Sequence, residues 1–326
     1  MAIISVTFFA TILTATLAGW LFTERFARKA EREFPPLGKF VMVDGRRIHY
    51  VERGPSHPAA DSQYAGPPPI VLLHGAFSAL QDFSATILDE LAKSHRVFAV
   101  DRPGHGYSER DPAWESSPQA QAAVIRASLA AIGVQRAVMV GFSYGGTVAL
   151  AHALRYPGAT TALVLLAGPS HPWPDPIDPE YYISTWPVVG SWIVRTLVAP
   201  LGTALARKGV MGAFYPLPVA PGFVASPFPL ALRPASFEAN SQDMRLLKDA
   251  VREMSPHYPE LKPPVTIVHG TLDHVVGIKT HSDKLRVQLP SLELIPISGA
   301  GHQIMYTHPW IVIDAILRAS AGASSR

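Results

Sequence analysis

Cysteine is absent from all 326 residues, which excludes disulfides, thiol nucleophiles and thiolate-bound metals. The cellular compartment stays open, because many exported proteins also lack disulfides. A basic stripe is missing too. Lys and Arg are scattered without interleaved aromatics, so a formal charge of +3 carries no implication of nucleic acid. No spacing of His, Asp and Glu resembles a metal-ligand set, no cofactor is implied, and the sequence has no internal repeat.

Charge is also missing from the start of the chain. Ala2 to Phe22 is an uncharged apolar run, which at 1.5 Å per residue reaches roughly 31 Å, enough to cross a bilayer. A cleaved signal peptide is the rival reading, but Met1 to Ser5 carries no positive side chain and no convincing small-x-small cleavage site follows. The expectation is a retained, single-pass anchor over residues 1–23, with residues 2–22 in the lipid bilayer. Arg25, Arg28, Lys29 and Arg32 follow at once, and the positive-inside tendency keeps that end, with the domain it carries, on the cytoplasmic side. Glu24, Glu31 and Glu33 count little in that rule. Thr23 to Glu33 is expected to continue as a polar helix until Pro35-Pro36 stops it, within a juxtamembrane linker of residues 24–39.

Hydrophobic residues make up 48% of the chain, enough to fill one large α/β domain plus an insertion. Phe40 to Val43, Asp44-Gly45 and Arg46 to Val51 read as a β-hairpin on an Asp-Gly turn, and Pro55 to Pro69 as a Pro-rich loop. Strands at Ile70 to Leu73, Val97 to Val100, Ala137 to Val140 and Ala162 to Leu166 alternate with helical stretches such as Gln119 to Ile132. A mainly parallel sheet with helices on both faces follows. Ligands bind such sheets at the carboxyl ends of the strands.

One pentapeptide falls at such an end. Gly141-Phe142-Ser143-Tyr144-Gly145 lies between the apolar Ala137 to Val140 and the helix-prone Gly146 to Leu154, the strand, turn and helix order of a nucleophile elbow. Its glycines spare the turn Cβ atoms that would collide with the neighbouring strand or helix. Without context a serine between glycines is usually only a turn; the flanking strand and helix reverse that. A serine hydroxyl is a weak nucleophile and needs a histidine to take its proton and an acid to orient that histidine. Val265 to Gly270 is a buried strand whose following loop holds Asp273, and Leu292 to Ile297 is a strand leading to Ser298-Gly299-Ala300-Gly301-His302. Asp273 could instead cap the chain from Gly277 onward, and His302 could be an ordinary loop histidine, although its Gly-Ala-Gly approach suits the close backbone path of a catalytic loop. The order Ser143, Asp273, His302 is the one expected of α/β-hydrolases.

On these motifs the chain resembles the α/β-hydrolase superfamily, close to its lipase, esterase and carbon-carbon hydrolase branch, from about Phe40 to Ala319. Ile70-Val71-Leu72-Leu73-His74-Gly75-Ala76-Phe77 and Val100-Asp101-Arg102-Pro103-Gly104-His105-Gly106-Tyr107-Ser108 add to the likeness. The resemblance implies an α/β-hydrolase core of residues 40–167 and 265–326 and a helical cap of residues 168–264, where prolines crowd Pro169 to Pro234 and strand alternation stops. It implies Ser143 as nucleophile, His302 as base and Asp273 as the acid. It also implies an oxyanion hole from the backbone N–H groups of Tyr144 and Ala76, with Phe77 the alternative to Ala76. His74 and His105 are read as structural, since one general base suffices, and Asp101 as a loop-ordering carboxylate. His257, His269 and His274 have no assigned role.

The cap's apolar residues include Trp173, Tyr181, Trp186, Trp192 and Phe228. Most should pack the cap's own helices, but an apolar roof over the serine favours an apolar acyl or aryl substrate. Trp186 to Val198 is alternatively suited to the bilayer surface. The expected activity is hydrolysis of small apolar carboxylic esters through an acyl-enzyme. The alternatives are a carbon-carbon hydrolase of aromatic ring-cleavage products using the same triad, and a non-catalytic small-ligand receptor on the same fold. Epoxide hydrolases and haloalkane dehalogenases carry aspartate at the elbow, so Ser143 argues against both.

Overall fold

The structure is a computed structural model that describes residues 2–55, 66–111 and 116–324. Most of the expected Pro-rich loop, residues 56–65, lies outside the described residues. The strands are β1 (Lys39–Val43), β2 (Arg46–Arg53), β3 (Ile70–Leu73), β4 (Val97–Val100), β5 (Ala137–Phe142), β6 (Thr160–Leu166), β7 (Val265–Gly270) and β8 (Glu293–Ile297). Among the described residues they form one sheet in the order β1-β2-β4-β3-β5-β6-β7-β8. Strands β4 to β8 run parallel with β3 among them, and β2 pairs antiparallel with both β1 and β4. The β1–β2 hairpin turns on Asp44 and Gly45, at φ of 46° and 76°, the left-handed pair that a two-residue turn between twisted strands requires.

Side chains alternate across a strand, so a sheet buried on both faces needs two cores. Val71 and Leu73 of β3, Phe98 and Val100 of β4, and Met139 of β5 face one core with Ile125, Leu129, Val148 and Leu150. Ile70 and Leu72, Val97 and Ala99, and Val138 and Val140 face the other with Phe83, Val312 and Ile316. The long helices are α1 (Ala2–Glu33), α2 (Pro118–Ala131), α3 (Tyr144–Arg155), α4 (Ala199–Phe214), α5 (Pro234–Met254) and α6 (Pro309–Ser324); α2, α3 and α6 supply these partners except Phe83, which comes from the short helix Gln81–Ser84. The start of α2 shows why it begins there: Pro118 stands at its first position and the Ser117 hydroxyl accepts the N–H of Ala120 at 3.1 Å. Between β6 and β7 the described residues form helices and no strand, and this insertion lies over the carboxyl ends of the strands.

Helix α1 runs unbroken to Glu33, so the polar continuation after residue 22 forms as expected and ends before Pro35. It packs along Val194–Val198 of the insertion, with Gly19 so close that a Cβ there would overlap the carbonyl of Thr196. No single helix among the described residues is long and apolar enough to cross a membrane. Within α1 the Thr11 and Thr14 hydroxyls donate back to the carbonyls of Thr7 and Ala10. A bent pair, Val189–Leu205 with Lys208–Phe214 at 52°, does have the length and composition.

Candidate active site

Ser143 sits where β5 turns into α3, at φ 50° and ψ −124°. A non-glycine residue there stores on the order of 1–3 kcal/mol of strain and persists only when its surroundings fix it. Here the Ser143 N–H donates to the Leu166 carbonyl on β6 at 2.8 Å, and its own carbonyl accepts from Gly146 at 2.8 Å. A Cβ on Gly141 would strike the Gly145 carbonyl, and one on Gly145 the Leu73 carbonyl of β3. The elbow can therefore close only with glycine at both positions.

His302 and Asp273 stand at the ends of the two neighbouring strands, as the sequence suggests. The Nδ1 of His302 lies 2.7 Å from Oδ2 of Asp273. An ionised carboxylate only accepts, so Nδ1 carries the proton and Nε2 is left as the basic atom. Asp273 does not cap the chain at Gly277. Its Oδ1 accepts the N–H groups of Val275 and Val276, each at 2.8 Å, and its Oδ2 also receives His269 Nε2 at 3.2 Å. Burial opposes ionisation of this carboxyl, yet His302 and His269 outweigh it and hold Asp273 below the usual carboxylate range. The His302 ring packs on Phe142, 5.1 Å between centroids, and its backbone N–H donates to the Ala213 carbonyl at the end of α4 at 3.0 Å. Ser143, Asp273, His302, Ala76 and Tyr144 all line one cavity of about 840 Å³ beneath the insertion.

The loop after β3 approaches from the other side. Gly75 is so near the elbow that its Cβ would sit 3.0 Å from that of Ser143. Phe77 takes a left-handed φ of 50° and donates its N–H to Oδ1 of Asn240 at 3.0 Å. With that group engaged, Ala76 remains as the loop's candidate oxyanion donor, beside Tyr144 at the first position of α3.

The histidines read as structural are so. His74 donates from Nδ1 to the Gly75 carbonyl at 2.9 Å and accepts the Arg102 N–H on Nε2 at 3.0 Å, joining two loops, and burial keeps its pKa well below the ordinary value. Asp101 accepts the N–H groups of Leu80 and Tyr107 at 2.8 and 2.9 Å and contacts His49 at 2.6 Å. His269 supports Asp273, His274 packs on Tyr215, and His257 pairs with Glu260 on the surface. Sequence reasoning missed Arg102, Asp243 and Asn240. Arg102, fully buried, donates from Nη1 to Asp243 on α5 at 2.6 Å, and from Nε and Nη2 to the carbonyls of His74 and Gly75, both at 3.0 Å. His105 and Arg110 meet the same Asp243 carboxylate at 2.9 and 2.5 Å.

Burial holds His105 and His281 down to about 3 and His152 to about 4. As pH falls from about 6.5, the unfolded chain takes up protons at these sites that the folded chain refuses, so stability drops by up to about 1.4 kcal/mol per pH unit for each histidine. Thermal unfolding should therefore come several degrees lower at pH 5 than at pH 7.5. A midpoint that is flat or rises towards acid would contradict the neutral, buried state of these rings.

A parallel sheet whose site lies at the carboxyl ends of its strands, under a helical insertion and around a serine elbow, defines the class as α/β hydrolase. The chain belongs to the alpha/beta hydrolase fold family, which matches over residues 68–309. It is similar to a 2-hydroxymuconate semialdehyde hydrolase of Pseudomonas sp. (strain CF600), with 27% identity over 91% of this chain and 99% of that one. Among solved structures it resembles a bacterial membrane phospholipase A (TM-score 0.68, 21% identity, 99% of both chains). It also resembles the enol-lactonase of Burkholderia xenovorans LB400 (TM-score 0.66, 19% identity, 87% of this chain and 100% of that one).

Proposed function

We propose that the protein is a serine hydrolase that cleaves carboxylic esters of apolar acyl or aryl substrates. The observation that carries this is a strained Ser143 lining the same cavity as a His302 imidazole already held by Asp273 at 2.7 Å. Ser143 attacks the ester carbonyl. His302 takes the hydroxyl proton on Nε2 and passes it to the leaving alcohol, while Asp273 orients the ring and stabilises its cationic form. The oxyanion is met by the N–H groups of Ala76 and Tyr144, and water, activated by His302, then releases the acid.

Carbon-carbon hydrolysis is the second reading, favoured by the semialdehyde hydrolase relative. A muconate-type substrate carries a carboxylate, and the described cavity lining holds Asp82, Asp175 and Glu180 but neither Lys nor Arg. That lining suits an uncharged ester better than an organic anion. The test uses p-nitrophenyl esters of rising acyl length, a vinylogous diketone acid, and a fluorophosphonate label mapped by peptide. Ester turnover with the label on Ser143 is expected. Folded protein that cleaves only the diketone, or carries no label, sinks the ester reading.

Attachment to a bilayer through residues 2–22 belongs to the same proposal. Phe9 and Leu13 on α1 are each 70% exposed, and Val188 and Leu205 on the adjoining insertion are 84% and 65% exposed. Both segments thus expose apolar side chains, as a lipid-facing surface requires. Arg25, Arg28, Lys29 and Arg32, directly after the apolar run, favour the cytoplasmic side for the catalytic domain by the positive-inside tendency. The full chain should sediment with membranes, resist carbonate extraction and be shielded from protease added outside sealed cells. Release by carbonate, or digestion from outside, would refute attachment or side respectively.

A further inference from the structure

We infer that Asn240 is a positioning residue for the oxyanion hole: together with Asp243, it makes α5 of the insertion aim the Ala76 N–H by pinning the peptide unit on each side of Ala76. The inference rests on the ester-hydrolase reading above and deepens it.

The two peptide units are held by different atoms of one helix. On the near side, the Gly75 carbonyl accepts from Arg102 Nη2 at 3.0 Å and from His74 Nδ1 at 2.9 Å. In a trans peptide the C=O and the following N–H point in opposite directions. The Ala76 N–H is therefore turned away from Arg102 and His74, and Ala76 lines the cavity. Arg102 itself is held by Asp243 at 2.6 Å. On the far side, the Ala76–Phe77 unit is held by the Phe77 N–H on Asn240 Oδ1 at 3.0 Å. Asn240 and Asp243 are three residues apart on α5, so they share one face of the helix.

Two details mark the Asn240 contact as more than packing. Phe77 keeps a φ of 50°, which a bulky side chain adopts only when its surroundings impose it. Asn240 is fully buried, and its Nδ2 finds no partner among the described residues. A buried amide with one orphaned end is costly, and the contact it does make is the one with Phe77. The insertion is thus part of the oxyanion hole's wall and not only a roof over substrate.

Asn240→Leu removes the acceptor while keeping the γ-branched shape of the side chain. With p-nitrophenyl butyrate, kcat should fall about 30- to 100-fold while KM stays within about threefold, the pattern for an interaction realised in the transition state. Affinity for a trifluoromethyl ketone, which forms a tetrahedral oxyanion, should fall by the same factor, and affinity for the methyl ketone of equal length should hold. Asn240→Asp, which keeps an oxygen in place, should recover most of kcat. If the leucine variant does not fold, Asn240→Ala against Asn240→Asp makes the same comparison. A folded variant with unchanged kcat and unchanged trifluoromethyl ketone affinity overturns the inference, as does equal loss for both ketones. A wild-type protein that neither turns over the ester nor binds the trifluoromethyl ketone overturns instead the hydrolase reading beneath it.

Discussion

Ser143→Ala should lose between about 10⁴- and 10⁶-fold in kcat on a p-nitrophenyl ester, with the fold and the affinity for a methyl ketone intact. The size follows from what is removed. The left-handed elbow exists to hold a hydroxyl at the cavity wall, and alanine keeps the strain while deleting the nucleophile. Asp273→Asn should cost about 10⁴-fold by a different route. The amide still accepts from Val275 and Val276, but it no longer fixes Nδ1 of His302 as the protonated nitrogen, so Nε2 is no longer reliably the base. Residual turnover of a tenth or more in either folded variant would remove Ser143, or Asp273, from the chemistry.

Asp243→Ala should cost about 3–5 kcal/mol of stability, the usual penalty for breaking a buried ion pair and stranding its partner. Three groups lose their carboxylate partner at once: Arg102, Arg110 and His105. Asp243 and Arg102 are both fully buried, so water cannot replace the carboxylate. Burial also opposes the ionisation of Asp243, and Arg110, His105 and Arg102 together outweigh that and keep its pKa below the carboxylate range. Its stabilising contribution is present above the unfolded value, near pH 4, and fades as pH falls through the depressed folded value. Thermal unfolding at pH 7 should show a midpoint lowered by roughly 10 °C. Glu260→Ala, which breaks only the exposed pair with His257, is the control and should stay within about 0.5 kcal/mol. A loss no larger for Asp243→Ala than for the control would mean that the cluster does not hold the insertion to the core.

The difference between what was and was not legible is one of sequence distance. The elbow, the Asp-Gly hairpin and the loops of Asp273 and His302 each announce themselves within a few residues, because a strand, a turn and a helix start leave local marks. Arg102 belongs to the Asp101–Ser108 motif after β4, but its partner Asp243 is 141 residues away, and Asn240 is 163 residues from Phe77. No helical or strand period links such pairs. An arginine set directly after a buried strand, in a turn of proline and glycine, was the available signal that something remote must neutralise it. The choice between Ala76 and Phe77 was open for the same reason, since only the fold reveals that one of the two N–H groups is already taken. The N-terminal run was legible as a helix, whereas its close seat against Thr196 depended on where the insertion folds back.

The bond from the His302 backbone to the Ala213 carbonyl limits how a protein of this design changes its diet. The segment overhead also seats the loop that carries the base, so transplanting it wholesale from a cousin would unseat the imbedded histidine along with altering the cavity. New preferences are more readily reached by single replacements at inward positions such as Val210 or Leu232, leaving the last turn of that helix as it stands.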